Sequence, residues 1–177
     1  MLPAYVANPA AQLTGGGTPM DFGRAARDGE RLLGDGKTWR GLAGGVLGGM
    51  LVGGLQLAVA ALADSPATVP TFDPSGGKAG AASLLVIFAL ALGALLGDAV
   101  KSYAKRRLKR KRGEKLPLAD QYDFVLGAWV LTAALFPVWF QTNFTLGAMA
   151  VIAALTFFMH RGVSVLGHRM GLKAEPW

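Results

Sequence analysis

Asp98, Lys101, Ser102 and Lys105 stand at i, i+3, i+4 and i+7 within Gly97-Asp98-Ala99-Val100-Lys101-Ser102-Tyr103-Ala104-Lys105-Arg106. On a helix that spacing gathers a carboxylate, a hydroxyl and two ammonium groups on one face. A basic run follows, Lys109-Arg110-Lys111-Arg112-Gly113-Glu114-Lys115, and then Asp120-Gln121-Tyr122-Asp123. Asp120 and Asp123, again three apart, face the same way as a helix starts. Hard divalent cations such as Mg²⁺ take carboxylate oxygens together with substrate phosphates. Acids at both ends of a basic stretch therefore fit a seat for a metal-bound polyphosphate. The cations alone would serve as an anchor on anionic headgroups, worth about 1 kcal/mol each near the surface. The acids among them favour the site over the anchor.

Upstream lie Gly15-Gly16-Gly17-Thr18-Pro19-Met20-Asp21 and Leu33-Gly34-Asp35-Gly36-Lys37-Thr38-Trp39-Arg40-Gly41. Glycines let backbone N–H groups approach phosphates, and the second stretch runs into a helix N-terminus, an anion-binding geometry. For the triple glycine a flexible turn is an equal reading. Gly36-Lys37-Thr38 invites a P-loop assignment, but the first glycine of that motif would fall at Arg31, and an apolar helix follows. The assignment fails. His160 ends an apolar stretch and His168 lies in a basic tail, so interfacial solvation accounts for both. The absence of cysteine excludes disulfides, cysteine-ligated zinc, iron–sulfur clusters and thiol nucleophiles.

The elements that must position these groups are membrane helices. Of 177 residues, 52% are hydrophobic and 16% charged, with a net charge of +7; soluble domains carry about 25% charged residues. So apolar a basic chain suits basic loops beside a membrane, not nucleic acid. Four uncharged stretches approach the roughly 20 residues a crossing helix needs: 41–63, 80–97, 124–140 and 144–159, the last two joined by a tight hairpin at Gln141-Thr142-Asn143. Met1 to Leu13 is apolar but too short to cross, and reads as a partial or interfacial helix, or the end of a first span. The expected fold is all-α and polytopic, one membrane-embedded domain over 1–177 with large loops at about 14–40 and 98–120 and an outer loop at about 64–79. Segments 14–40, 98–120 and 160–177 hold 17 of the 18 Lys and Arg, which places them in the cytoplasm. Gly45, Gly49 and Gly53 repeat at four-residue spacing, allowing close helix contact. Packing within the chain is the simpler use of that stripe, and a homodimer seam the other.

Taken in order, Leu2-Pro3-Ala4-Tyr5-Val6-Ala7-Asn8, the two glycine stretches, Gly97 to Arg106, and Asp120-Gln121-Tyr122-Asp123-Phe124 resemble CDP-archaeol synthases over nearly the whole chain. The resemblance implies an Mg²⁺-dependent transfer of the cytidylyl group of CTP to a geranylgeranyl diether glycerol phosphate, with release of pyrophosphate, at the cytoplasmic face of the cell membrane. It also implies a further full span ahead of Leu2. A wider similarity links Gly97-Asp98, Ser102, Lys105-Arg106 and Asp120 to Asp123 with CDP-diacylglycerol synthases. Gln121 replaces the arginine of that signature and the preceding His-Gly-Gly is lacking, which favours the archaeal branch.

On this reading Asp98, Asp120 and Asp123 hold Mg²⁺, while Lys101, Lys105 and Arg106 clamp phosphates. Ser102 bonds a phosphate or a metal-bound water. Gly16, Gly17, Asp35, Lys37, Thr38 and Arg40 form the second rank around CTP or the lipid phosphate. The alternatives are a CDP-diacylglycerol synthase using ester lipid and a non-catalytic polybasic adaptor. A channel or transporter would need charge near the span centres, and these spans have none.

Overall fold

The computed structural model describes residues 1–62, 81–110 and 119–169, with backbone alone at 81, 119 and 160–169. His160, His168, the outer loop and part of the basic run therefore lie outside the described side chains. Six helices account for the regular structure among the described residues: α1 (Leu2–Thr14), α2 (Trp39–Leu62), α3 (Ala81–Arg107), α4 (Ala119–Leu135), α5 (Pro137–Asn143) and α6 (Leu146–Arg169).

Two of them, Trp39–Leu62 and Ala82–Arg107, are long and apolar enough to cross a membrane. At 27 residues, α3 is about 40 Å long, so its basic last turn projects beyond a hydrocarbon core of about 30 Å. The four expected spans are not all continuous helices. Pro137, which has no N–H to donate to an α4 ladder and suits a first helical turn, opens the separate α5. Gln141, Thr142 and Asn143 are helical in α5, not the expected hairpin, and the chain bends by 74° between Pro137–Asn143 and Leu146–Met159.

Lipid offers no hydrophobic drive between helices, so close backbone approach and dispersion must hold them together. α2 buries Gly41, Gly45, Gly49 and Gly53, the four-residue stripe seen in the sequence. Its glycines face Ala7, Ala11 and Pro3 of α1 and Ala91 and Ile87 of α3. The stripe is thus filled from within the chain and leaves no seam there for a second copy. On the opposite face Leu47, Leu51, Leu55 and Val59 are exposed, as lipid-facing residues should be. α1 is more than interfacial: its Ala4 and Ala7 are fully buried and belong to the core with Ile87, Leu90 and Ala94.

α3 and α4 meet through glycines on both sides. A Cβ at Gly93 would lie 2.6 Å from the Gly127 carbonyl, and one at Gly97 would lie 3.0 Å from Gly127 Cα. This near-contact of two backbones brings the residues after Gly97 beside those before Gly127.

Candidate functional site

The α3–α4 contact delivers Asp98 and Lys101 against Asp120 and Asp123. The Lys101 ammonium lies 2.6 Å from Asp123 Oδ2, 3.0 Å from Asp98 Oδ1 and 3.6 Å from Asp120 Oδ1. Lys37, from the segment before α2, donates to the other oxygen of Asp98, and Lys105 lies 2.6 Å from Asp120 Oδ1. The result is a chain of alternating charge, Lys37–Asp98–Lys101–Asp123 with a branch through Asp120 to Lys105. Among the described residues three carboxylates meet three ammonium groups, in a setting where the Asp123 side chain is only 6% exposed.

This network lines a cavity of about 870 Å³. Asp98, Lys101, Asp120, Asp123 and Lys37 supply its charged wall, and Leu95, Phe124 and Met159 contribute apolar surface. α1 supplies Tyr5, Asn8 and Gln12. The Tyr5 ring meets Phe124 edge-on at 5.2 Å. Its hydroxyl bonds Thr156 of α6 at 2.5 Å, and the Thr156 hydroxyl donates in turn to the Ile152 carbonyl.

The residues expected from the sequence divide. Asp98, Lys101, Asp120, Asp123, Lys37 and Thr38 line the cavity, and Lys105 supports it through Asp120. Ser102 does not join them: its hydroxyl donates to the Asp98 carbonyl one turn back, at 2.9 Å, a common use of serine inside a helix. Arg106 lies against Gly34 and reaches the Arg110 carbonyl. Asp35 pairs with Arg31 at the surface, and Arg40 is exposed and off the cavity wall. Gly16 and Gly17, with φ of 97° and 78°, take left-handed backbone and do not line this cavity. The α2 N-terminus is also less open to an anion than expected. Trp39 N–H goes to the Thr18 carbonyl, and Gly41 N–H to Thr38 Oγ1, an N-cap.

A second cluster holds the 15–38 segment in place. Asp21, its side chain 1% exposed, accepts from the N–H groups of Gly23, Leu33 and Gly34 and from both Nε and Nη2 of Arg31. The Arg31 guanidinium holds its carboxyl well below the usual carboxylate range. Arg107 at the end of α3 pairs with Asp28 at 2.5 Å and donates to the carbonyls of Glu30 and Arg31. These bonds tie the segment to α3 and so fix Lys37 opposite Asp98.

Tyr5, Asn8, Gln12 and Gly127 had no site role in the sequence, though Tyr5 and Asn8 lie in a stretch that carries the resemblance. The signal for the first three was present: Tyr5, Asn8 and Gln12 fall at i, i+3 and i+7, a polar stripe on an otherwise apolar helix. Among the described residues no three Asp, Glu or His side chains form a ready metal cage. The carboxylates still offer hard oxygen donors on the cavity wall. Such a set suits a cation that also draws oxygens from substrate phosphates, the usual habit of Mg²⁺.

All 177 residues match the family model described as CarS-like: CDP-archaeol synthase. A CDP-archaeol synthase from Methanosarcina barkeri (strain Fusaro / DSM 804) is 45% identical over 179 residues, and one from Methanocorpusculum labreanum (strain ATCC 43576 / DSM 4855 / Z) is 46% identical over 187. Both alignments cover 100% of each chain. A solved structure described as "Structural insight into an intramembrane enzyme for archaeal membrane lipids biosynthesis" is similar with a TM-score of 0.68 and 36% identity, over 93% of this chain and 90% of that one.

Proposed function

The chain belongs to the CDP-archaeol synthase family, and we propose that its charged cavity is where CTP and 2,3-bis-O-geranylgeranylglycerol 1-phosphate react to give the CDP-activated diether lipid and pyrophosphate. The observation that carries this reading is the alternating Lys37–Asp98–Lys101–Asp123 network on the wall of the cavity. It supplies ammonium groups for anions, and α1, α4 and α6 supply apolar wall for prenyl chains.

In the reaction a lipid phosphate oxygen forms a bond to the α-phosphorus of CTP, and the bond from that phosphorus to the bridging oxygen of pyrophosphate breaks. The nucleophile is already an anion, so no side chain has to remove a proton. What the protein must do is hold two anions together and meet the charge that grows on the leaving group. Lys37 and Lys101 have flexible stems and compact charges, and they turn from carboxylate to phosphate oxygens as the substrates enter. Lys105 keeps Asp120 in place beside them. Asp98, Asp120 and Asp123 would hold Mg²⁺ brought with the triphosphate, which would give these carboxylates a cation once the lysines turn to phosphate. When bound, Mg²⁺ neutralises charge on the triphosphate and on the departing pyrophosphate.

The active site faces the cytoplasm on this reading, since the positive-inside rule puts the loops holding 17 of 18 basic residues there. An adaptor that merely met anionic lipid would gain nothing from placing Lys37, Lys101 and Lys105 on carboxylates. The test is incubation of detergent-purified protein with labelled CTP, Mg²⁺ and either the diether phosphate or a diester phosphatidate. CDP-lipid from the diether is expected. Product from the diester alone, or from neither, overturns the assignment.

A further inference from the structure

We propose that Lys101 is a built-in counter-cation that makes divalent-metal binding conditional on the nucleotide. The proposal rests on the reading of the cavity as a CTP site and adds an order of events to it. One ammonium group touches Asp98 and Asp123 at 3.0 and 2.6 Å and lies 3.6 Å from Asp120. It thus engages the same oxygens that a hard cation would take, with its own side chain 18% exposed.

Electrostatics then works against a metal ion arriving alone. Among the described residues the cluster, with Lys37 and Lys105 in place, is formally neutral, so a divalent cation gains little Coulomb attraction. It would also have to sit within a few ångströms of the Lys101 charge, where like charges repel strongly at the effective dielectric of a partly buried site. A triphosphate changes both conditions. It gives the Lys101 ammonium another anion to follow on its flexible stem, and it contributes oxygens to the incoming metal. Asp98 and Asp123 are thereby released to the cation only when the nucleotide is present. Lys101 is a positioning residue for that step as well as a phosphate contact after it.

The experiment follows Mn²⁺ uptake by the full chain in detergent, through loss of the free-ion electron paramagnetic resonance signal. Titrations are run without nucleotide and with a non-hydrolysable α,β-methylene analogue of CTP, each against the same titration without protein, because the analogue itself binds Mn²⁺. Wild type should take up Mn²⁺ saturably only with the analogue. Lys101→Met should take it up without nucleotide, with a Kd at least about tenfold below that of wild type. Lys101→Arg, which keeps the charge, should restore the dependence on nucleotide. Equal nucleotide-free uptake by wild type and Lys101→Met overturns the proposal, and so does wild-type uptake that ignores the analogue, even if Lys101→Met fails to fold. These failures leave the cavity assignment standing if the same wild-type preparation makes CDP-lipid; absence of that product strikes the assignment itself.

Discussion

Replacing Gly97 by alanine should damage catalysis without touching a charged group. The new Cβ would run into the Asp123 carbonyl oxygen and lie 2.9 Å from its carbon and 3.0 Å from Gly127 Cα. Carbon atoms pack best at about 3.5–4.0 Å, and both neighbours are helix backbone with no flexible side chain to give way. Restoring contact distance means parting α3 and α4 by about 1 Å or more. The strain should cost about 1–3 kcal/mol of stability, as overpacking generally does. The same shift pulls Asp98 and Lys101 from Asp123, lengthening a contact of 2.6 Å. A misplacement of about 1 Å at reacting groups can cost about 10²-fold in rate. The assay is CDP-lipid formation from saturating CTP, run beside thermal unfolding in detergent. Gly54→Ala is the control, since nothing lies within 4 Å of its added Cβ, and it should behave as wild type. A Gly97→Ala protein with normal turnover would refute the claim that glycine contact between α3 and α4 sets the site.

Other outcomes follow from single contacts. Asp21 is held below the usual carboxylate range when folded, so its stabilisation is complete above the unfolded value of about 4 and is lost as pH falls further. Hydrogen-exchange protection of the Leu33 and Gly34 amides should drop below that pH in wild type and be low throughout in Asp21→Asn; protection that ignores pH would contradict this. Arg107→Ala removes the bonds to Asp28, Glu30 and Arg31 and loosens the segment that carries Lys37. Its KM for CTP should rise several-fold with kcat less affected, and Arg107→Lys should not restore it, because an ammonium lacks the guanidinium fork. Tyr5→Phe deletes the bond to Thr156 and should cost about 1 kcal/mol, read as a fall of about 2–4 °C in Tm.

What the sequence revealed was local. The i, i+3, i+7 spacing of Asp98, Lys101 and Lys105 placed them on one face because α3 continues unbroken to Arg107. The glycine stripe of α2 announced close packing, and the structure supplies the partners. Ser102 shared that helical face, yet its short side chain reaches the carbonyl one turn back; spacing alone cannot tell a phosphate ligand from such a bond. Lys37 and Asp98 are 61 residues apart, and their pairing depends on the Asp21 and Arg107 anchors, which no periodicity encodes. The burial of α1 was hidden for a similar reason. Its Ala4 and Ala7 are too small to advertise a core face, and they are core where α2 brings glycines against the α1 backbone at Pro3 and Ala7.

The central claim is that the carboxylates bound by Lys37 and Lys101 are the seat of cytidylyl transfer. Asp98→Asn tests it most directly, because the change keeps the shape and removes the charge that both lysines share. With labelled CTP, Mg²⁺ and the diether phosphate, CDP-lipid formation should fall by at least about 10²-fold while the protein still unfolds cooperatively. Turnover close to that of wild type would contradict the account.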